Sequence, residues 1–268
     1  MVNEIIDLDL FIKECIAETK EFKKAGAHRK NDWEQGWSGQ GVYYANDEYN
    51  NLPYYFKKNT HFRIGNRAFE DLTGFTEVEL LRLLQEHIFR SYLPLFKAKI
   101  IFEYGCGTGS NIQFLRTLFP EYDFFGSDWA ESACNKLIAN NIVADSHALV
   151  VDYFDSNTYA GAPDSFVAFT NASLEQTGNG YAPFMEYLIK NSMCCGGIHI
   201  EPIKELLDLT TPLNRQSFDY ATRRSYLDGF ISYLKLKNIN IIEAKDYGIG
   251  SKYISGYQVV CWNKPVSA

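Results

Sequence analysis

"IFEYGCGTGSN", residues 101–111, decides the fold. The apolar run "KIIFEYG" (99–105) reads as a β-strand, and "SNIQFLRTLFP" (110–120) as a helix that stops at its proline. A glycine-rich turn joins the two, so a ligand can approach the backbone where the strand ends and the helix begins. Outward from this stretch the same alternation continues. "YDFFGSD" (122–128), "HALVVDYF" (147–154), "SFVAFTNA" (165–172) and "GGIHIEPI" (196–203) read as strands. "AESACNKLIANN" (130–141), "APFMEYLIKNSM" (182–193) and "SYLDGFISYLKLKN" (225–238) read as helices. "INIIEAKDYG" (239–248) and "GYQVVCWN" (256–263) read as a closing hairpin. Strands that alternate with helices form βαβ units with right-handed crossovers. The pattern therefore predicts an α/β chain with a mainly parallel seven-stranded sheet, helices on both faces and an antiparallel C-terminal hairpin. Ligands of such sheets bind beyond the carboxyl ends of the strands.

Upstream, apolar residues from Ile5 to Ile16 recur at near-helical spacing, which predicts a helix over 3–25. "TGFTEVELLRLLQEHIFRSYL" (73–93) predicts another, with Thr76 as N-cap and Glu79 completing a capping box. Between them, 28–65 has no clear period but holds Trp33, Trp37, Tyr43, Tyr44, Tyr49, Tyr54 and Tyr55. So many aromatics in an unpatterned segment suit a lid or pocket wall, against the plainer reading of a surface loop. The expected division is an N-terminal helical and aromatic-rich cap over 1–95 and a cofactor-binding domain over 96–268.

Net charge is −7, from 26 basic and 33 acidic residues, which argues against general binding to nucleic-acid phosphates. The six cysteines form no C-x-x-C pair, so neither a zinc site nor a disulfide framework is indicated and a reduced, cytoplasmic setting is expected. "MVNEIIDLDLF" (1–11) carries acids where a signal peptide carries bases, and no apolar run is long enough to span a membrane. No cluster of acids suggests a metal.

The glycines at 105, 107 and 109 depart from the dinucleotide fingerprint, in which Ser110 would be the third glycine. Glu103, two residues ahead of the turn, would repel a pyrophosphate and suits a cationic ligand. The pattern E-x-G-x-G-x-G resembles that of class I methyltransferases, which use S-adenosylmethionine and release S-adenosylhomocysteine. The resemblance covers about residues 98–200 and the closing hairpin, and implies a Rossmann-like core. It also implies cofactor contacts from Glu103, Gly105, Cys106, Gly107, Gly109 and Asn111. Asp128, at the next strand end, suits the ribose hydroxyls, with Trp129 against the adenine; alternatively Asp128 caps a helix. Asp152 and Tyr153 follow the third strand, where the family holds the adenine amino group; alternatively Asp152 begins a turn. Asn171 and Ala172 are expected to line the site near the sulfur. Gln176 stands where many relatives have histidine, which removes one candidate base.

Methyl transfer is an in-line displacement in which the protein positions the nucleophile and excludes water. A hydroxyl acceptor benefits from a general base. His199 and Glu201 share one face of their strand and are the candidates for it, with a buried structural histidine as the alternative. Tyr43, Tyr44, Arg63 and Glu175 are candidate substrate contacts. Arg67 is an alternative to Arg63, and Glu175 could instead cap the following helix. The expected activity is methyl transfer to a small molecule, an oxygen of a sugar or other polar metabolite in surface-polysaccharide or secondary-metabolite biosynthesis. A protein or peptide methyltransferase, a nicotinamide oxidoreductase and a non-catalytic cofactor-binding homologue are the competing classes.

Overall fold

The computed structural model describes residues 2–39, 52–53, 56, 60–72 and 76–264. The N-terminal part comprises β1 (Val2–Glu4), α1 (Leu8–Glu18), α2 (Lys30–Gly39), β2 (His61–Ile64), β3 (Arg67–Asp71) and α3 (Thr76–Tyr92). Then follow β4 (Ile100–Tyr104), α4 (Ser110–Leu118), β5 (Asp123–Asp128), α5 (Glu131–Ala139), β6 (Ala148–Val150) and β7 (Phe166–Asn171). The chain closes with α6 (Ala182–Lys190), β8 (Cys194–Glu201), α7 (Pro212–Arg224), α8 (Phe230–Leu236), β9 (Asn240–Asp246), β10 (Ile249–Ser251) and β11 (Gln258–Asn263).

The main sheet has seven strands in the order β6-β5-β4-β7-β8-β11-β9. β6 through β8 run parallel, and β11 enters antiparallel between β8 and β9. The order turns outward from β4 in both directions, so the loop after β4 lies at the switch point where such sheets bind ligands. Alternating residues feed two cores. Ile101, Val167, Phe169, Ile198 and Val259 face Leu84, Ile88 and Phe89 of α3 and Leu115 of α4. Phe102, Phe166, Ala168, Val260 and Trp262 face Phe184 and Leu188 of α6 and Phe230 of α8. Each fully buried large apolar side chain contributes roughly 1.5–3 kcal/mol.

Three elements differ from the sequence reading. Residues 3–25 are not one helix. Asp7 accepts a hydrogen bond from the Leu10 N–H at 2.9 Å and starts α1, while Val2–Glu4 pairs with β3 instead. The N-terminal part therefore contributes to a sheet as well as helices, in the order β1-β3-β2-β10, and β10 comes from the C-terminal region. The "TPLNRQSFDYATRR" stretch (211–224), not anticipated as regular, forms α7, with the Thr211 hydroxyl accepting from the Asn214 N–H at 3.3 Å and Pro212 in the first turn. At α3 it is the Asp71 carboxylate that holds the first turn, accepting from the Thr76 N–H at 3.1 Å and its hydroxyl at 2.7 Å. No helix among the described residues is long and apolar enough to cross a membrane.

Candidate active site

The glycine loop between β4 and α4 passes through positive φ at Gly105 (70°), Gly107 (51°) and Gly109 (76°). At all three positions space is as tight as conformation. A Cβ on Gly105 would lie 2.4 Å from the Ser173 Cβ, and one on Gly107 would lie 2.7 Å from the Trp37 indole. The loop is thereby pressed between the end of β7 and α2. A cleft opens above it, lined by Gly105, Cys106, Gly107 and Asn111 on the loop side. Asp128, Trp129, Tyr153, Asn171 and Ala172 line it from neighbouring strand ends.

The floor of the cleft is acidic. Asp128 is nearly fully buried and accepts from the Gly107 N–H at 3.0 Å and the Ala130 N–H at 2.9 Å. Burial still pushes its carboxyl up to about 6. Glu103 lies one layer deeper, fully buried, and its Oε1 accepts from the Asn111 side chain at 2.7 Å. Its Oε2 is buried with no hydrogen-bond partner among the described residues. Burial pushes Glu103 up to about 8, and the neighbouring Asp128 adds to the rise. Burial holds both carboxyls against their ionised forms, which a neighbouring positive charge would favour. A ligand with an ammonium or sulfonium group fits this floor; a pyrophosphate does not.

Asn111 continues the polar line. Its Oδ1 accepts from the Gln85 amide at 2.9 Å, and the same amide lies 3.3 Å from the Asn171 Oδ1. Gln85 sits on the buried face of α3 between Leu84 and Ile88. A polar residue on an otherwise apolar helical face was the signal by which the sequence could have shown it. At the far end of the cleft Trp129 stacks on Phe154, ring centroids 6.0 Å apart and 29° between planes. Phe154 and Val151 also line the cleft and were not singled out from the sequence. Trp33 and Trp37 line it too, four residues apart on α2 and stacked 5.7 Å from each other, so this part of the aromatic segment is a helix and not a loop. Tyr43 and Tyr44 lie outside the described residues.

Four expected site residues serve the fold. His199 is fully buried beneath the strand ends. Its Nε2 accepts from the Trp262 indole at 2.8 Å, so its Nδ1 carries the hydrogen donated to Thr170 Oγ1 at 2.9 Å. Burial drives its pKa down to about 3, and neither nitrogen is left to take a proton from a substrate. Glu201 is spent on backbone: its carboxylate accepts from the N–H groups of Ser173, Leu174 and Glu175 at 3.1, 3.0 and 3.2 Å. Asp152 is not among the residues that line the cleft; its carboxylate is bound to Lys30 of α2 at 2.7 Å and accepts from the Phe154 N–H at 3.0 Å. Arg63 is fully buried between β2 and α7. It donates to the carbonyls of Leu213 and Lys252, to Ser217 and to Gln216, so it ties β2 to the C-terminal region and lines neither the cleft nor the larger chamber described below. Arg67 pairs with Glu4 on the surface.

Glu175 is different. It lines a second chamber of about 540 Å³ that adjoins the cleft, with Ala172, Gln176, Trp33 and Phe56 common to both. Its Oε1 accepts from the Gln176 amide at 2.9 Å, and its Oε2 is buried without a partner. Burial first, and then the adjacent Glu201 carboxylate, raise it well above the usual carboxylate range. His61, Glu77, Tyr220, Arg224, Tyr226 and Tyr257 face the same chamber. No group of three or more His, Cys, Asp or Glu residues able to hold a metal occurs among the described residues.

The sheet order, the glycine loop at its switch point and the carboxylates at the ends of β4 and β5 give the Rossmann-like architecture that the resemblance to class I methyltransferases implied. No family model and no curated protein matches the chain. Among solved structures it is similar to geranyl diphosphate C-methyltransferase from Streptomyces coelicolor A3(2), with 11% identity, a TM-score of 0.48, and coverage of 90% of this chain and 100% of that one. It is also similar to the plantazolicin methyltransferase in complex with S-adenosylhomocysteine, at 15% identity, TM-score 0.44, and 84% and 78% coverage. Magnesium protoporphyrin IX methyltransferase from Synechocystis PCC 6803 is a third, at 10% identity, TM-score 0.45, and 95% and 100% coverage.

Proposed function

We propose that the protein is an S-adenosylmethionine-dependent methyltransferase acting on a small polar molecule, with residues 1–95 as cap and 96–268 as the cofactor-binding part. The observation that carries this reading is the acidic floor under the glycine loop. Glu103 and Asp128 are buried and protonation-prone, and one Glu103 oxygen lacks any partner among the described residues. When bound, S-adenosylmethionine supplies an electrophilic methyl group and a cationic amino end. Glu103 and Asn111 would receive the amino end and Asp128 the ribose hydroxyls. Trp129 would lie against the adenine, with Phe154 stacked beside it.

The chain's own work is then positioning. Ala172 and Gln176 line both cavities, so an acceptor in the larger chamber reaches the cleft past them. Trp33 and Phe56 wall that boundary and keep water from it. An oxygen acceptor also has to lose a proton. Glu175 takes the place of His199 and Glu201 as the candidate to receive it, because it lines the chamber and its buried Oε2 has no hydrogen-bond partner among the described residues. Calorimetry tests the cofactor assignment. S-adenosylhomocysteine should bind and NAD should not, and Asp128→Ala should weaken the former at least tenfold. Binding of NAD alone would overturn the reading, and an unchanged affinity in Asp128→Ala would remove the ribose assignment.

A further inference from the structure

Among the described residues, the larger chamber holds one cation without a carboxylate partner. Three basic side chains line it: Arg29, Lys252 and Arg224. Arg29 is bound to Asp32 at 2.7 Å, and Lys252 to Glu18 at 2.8 Å. Arg224 has no carboxylate partner among the described residues, although it is about nine-tenths buried. Its Nη1 donates to the Tyr220 hydroxyl at 2.7 Å. Its Nε is buried with no hydrogen-bond partner. Its guanidinium lies 4.9 Å from the Tyr226 ring centroid and 5.6 Å from those of Phe22 and Tyr220.

A buried guanidinium without a counter-charge is costly, and rings repay only part of the lost hydration. Nη1 is engaged by the Tyr220 hydroxyl and Nε has no partner, so the donors of the fork are only partly satisfied. The paired N–H groups of a guanidinium match the two oxygens of a carboxylate. A dianion suits the chamber less well. Arg224 is its one cation without a carboxylate among the described residues, and Glu77 and Glu175 face the same space. Glu175 makes no ion pair with Arg224, and burial beside Glu201 disfavours its ionised form.

Building on the proposed methyl transfer, we propose that Arg224 anchors a carboxylate of the methyl acceptor, so that the substrate is a carboxylate-bearing small molecule. Tyr220, Tyr226 and Phe22 flank the carboxylate end, and the group to be methylated lies toward Ala172 and Gln176. Arg224 is thus a specificity residue that does not touch the reacting atoms.

The test uses the full chain saturated with S-adenosylhomocysteine and titrated with benzoate, benzamide, benzylamine and phenyl phosphate, followed by intrinsic tryptophan fluorescence and calorimetry. Benzoate should bind at least tenfold more tightly than the other three. Arg224→Gln should abolish the preference, and Arg224→Lys, which keeps the charge, should retain part of it. An unchanged S-adenosylhomocysteine affinity in both variants shows that they are folded. Equal binding of benzamide, preference for benzylamine or phenyl phosphate, no binding of any of the four, or a preference that survives Arg224→Gln each overturns the proposal. If wild-type protein fails to bind S-adenosylhomocysteine, the cofactor reading fails, and the same titration without it still judges the anchor.

Discussion

Glu103→Gln separates the cost of the acidic floor from its use. Glu103 is fully buried, and its carboxyl is pushed from 4.5 up to about 8. Between those two values the folded protein holds a proton that the unfolded chain has released. Stability therefore falls as pH rises, by about 1.4 kcal/mol per pH unit. Over the whole window the loss from this one group is about 5 kcal/mol, complete above pH 8 and absent below 4.5. Glutamine mimics the protonated carboxyl. Its Oε1 can keep the 2.7 Å hydrogen bond from Asn111, and its amide fills the place of the unpartnered Oε2. Urea unfolding at pH 5, 7 and 8.5 should then show the variant about equal to wild type at pH 5 and progressively more stable above it. Binding should move the other way. At pH 7 about nine-tenths of Glu103 is protonated, and an ammonium beside it favours ionisation. Calorimetry of S-adenosylhomocysteine in buffers of different ionisation enthalpy should show proton release in wild type, near one per site. The variant should show none from this group and bind at least tenfold more weakly. Parallel stability curves for the two proteins, or an undiminished affinity in the variant, would refute the reasoning.

Two further outcomes follow from the groups around the chamber and beneath it. Glu175→Gln should remove the rise of methyl transfer with pH, because the proton acceptor works only when ionised and burial beside Glu201 moves that ionisation upward; a pH–rate profile identical to wild type would sink its role. His199→Phe should leave the Trp262 N–H and the Thr170 hydroxyl without their partner and cost roughly 2–5 kcal/mol in urea unfolding. The same variant should lose the acid sensitivity that His199 imposes, since its pKa of about 3 makes stability fall as pH drops from 6.5 toward that value. Turnover per folded molecule should be nearly unchanged, and a collapse of turnover with cofactor affinity intact would restore His199 as a base.

What the sequence disclosed, and what it hid, divide along the range of the interactions. The sheet was legible because each strand and helix carries its own period, and the glycine turn because positive φ at three alternate positions has a local signature. The placement of Asp128 on the cleft was legible for the same reason: it ends a strand, and the strand ends open onto the cleft. The chemistry at β8 was not. Alternation correctly put His199 and Glu201 on one face, but a period cannot say that Trp262, 63 residues later, will satisfy the histidine. Nor can it say that the loop after β7 will turn three N–H groups onto Glu201. Arg63 misled similarly, since its acceptors come from α7 and the turn after β10, some 150 residues and more away. The same distance explains Arg224. In the sequence it is the second of two adjacent arginines at a helix end, a place where basic residues commonly sit in solvent. The fold buries it among Phe22, Tyr220 and Tyr226, while Arg29 and Lys252 in the same chamber find carboxylates. A charge becomes a binding residue here through the partner it is denied, and only the folded chain determines which charges are denied one.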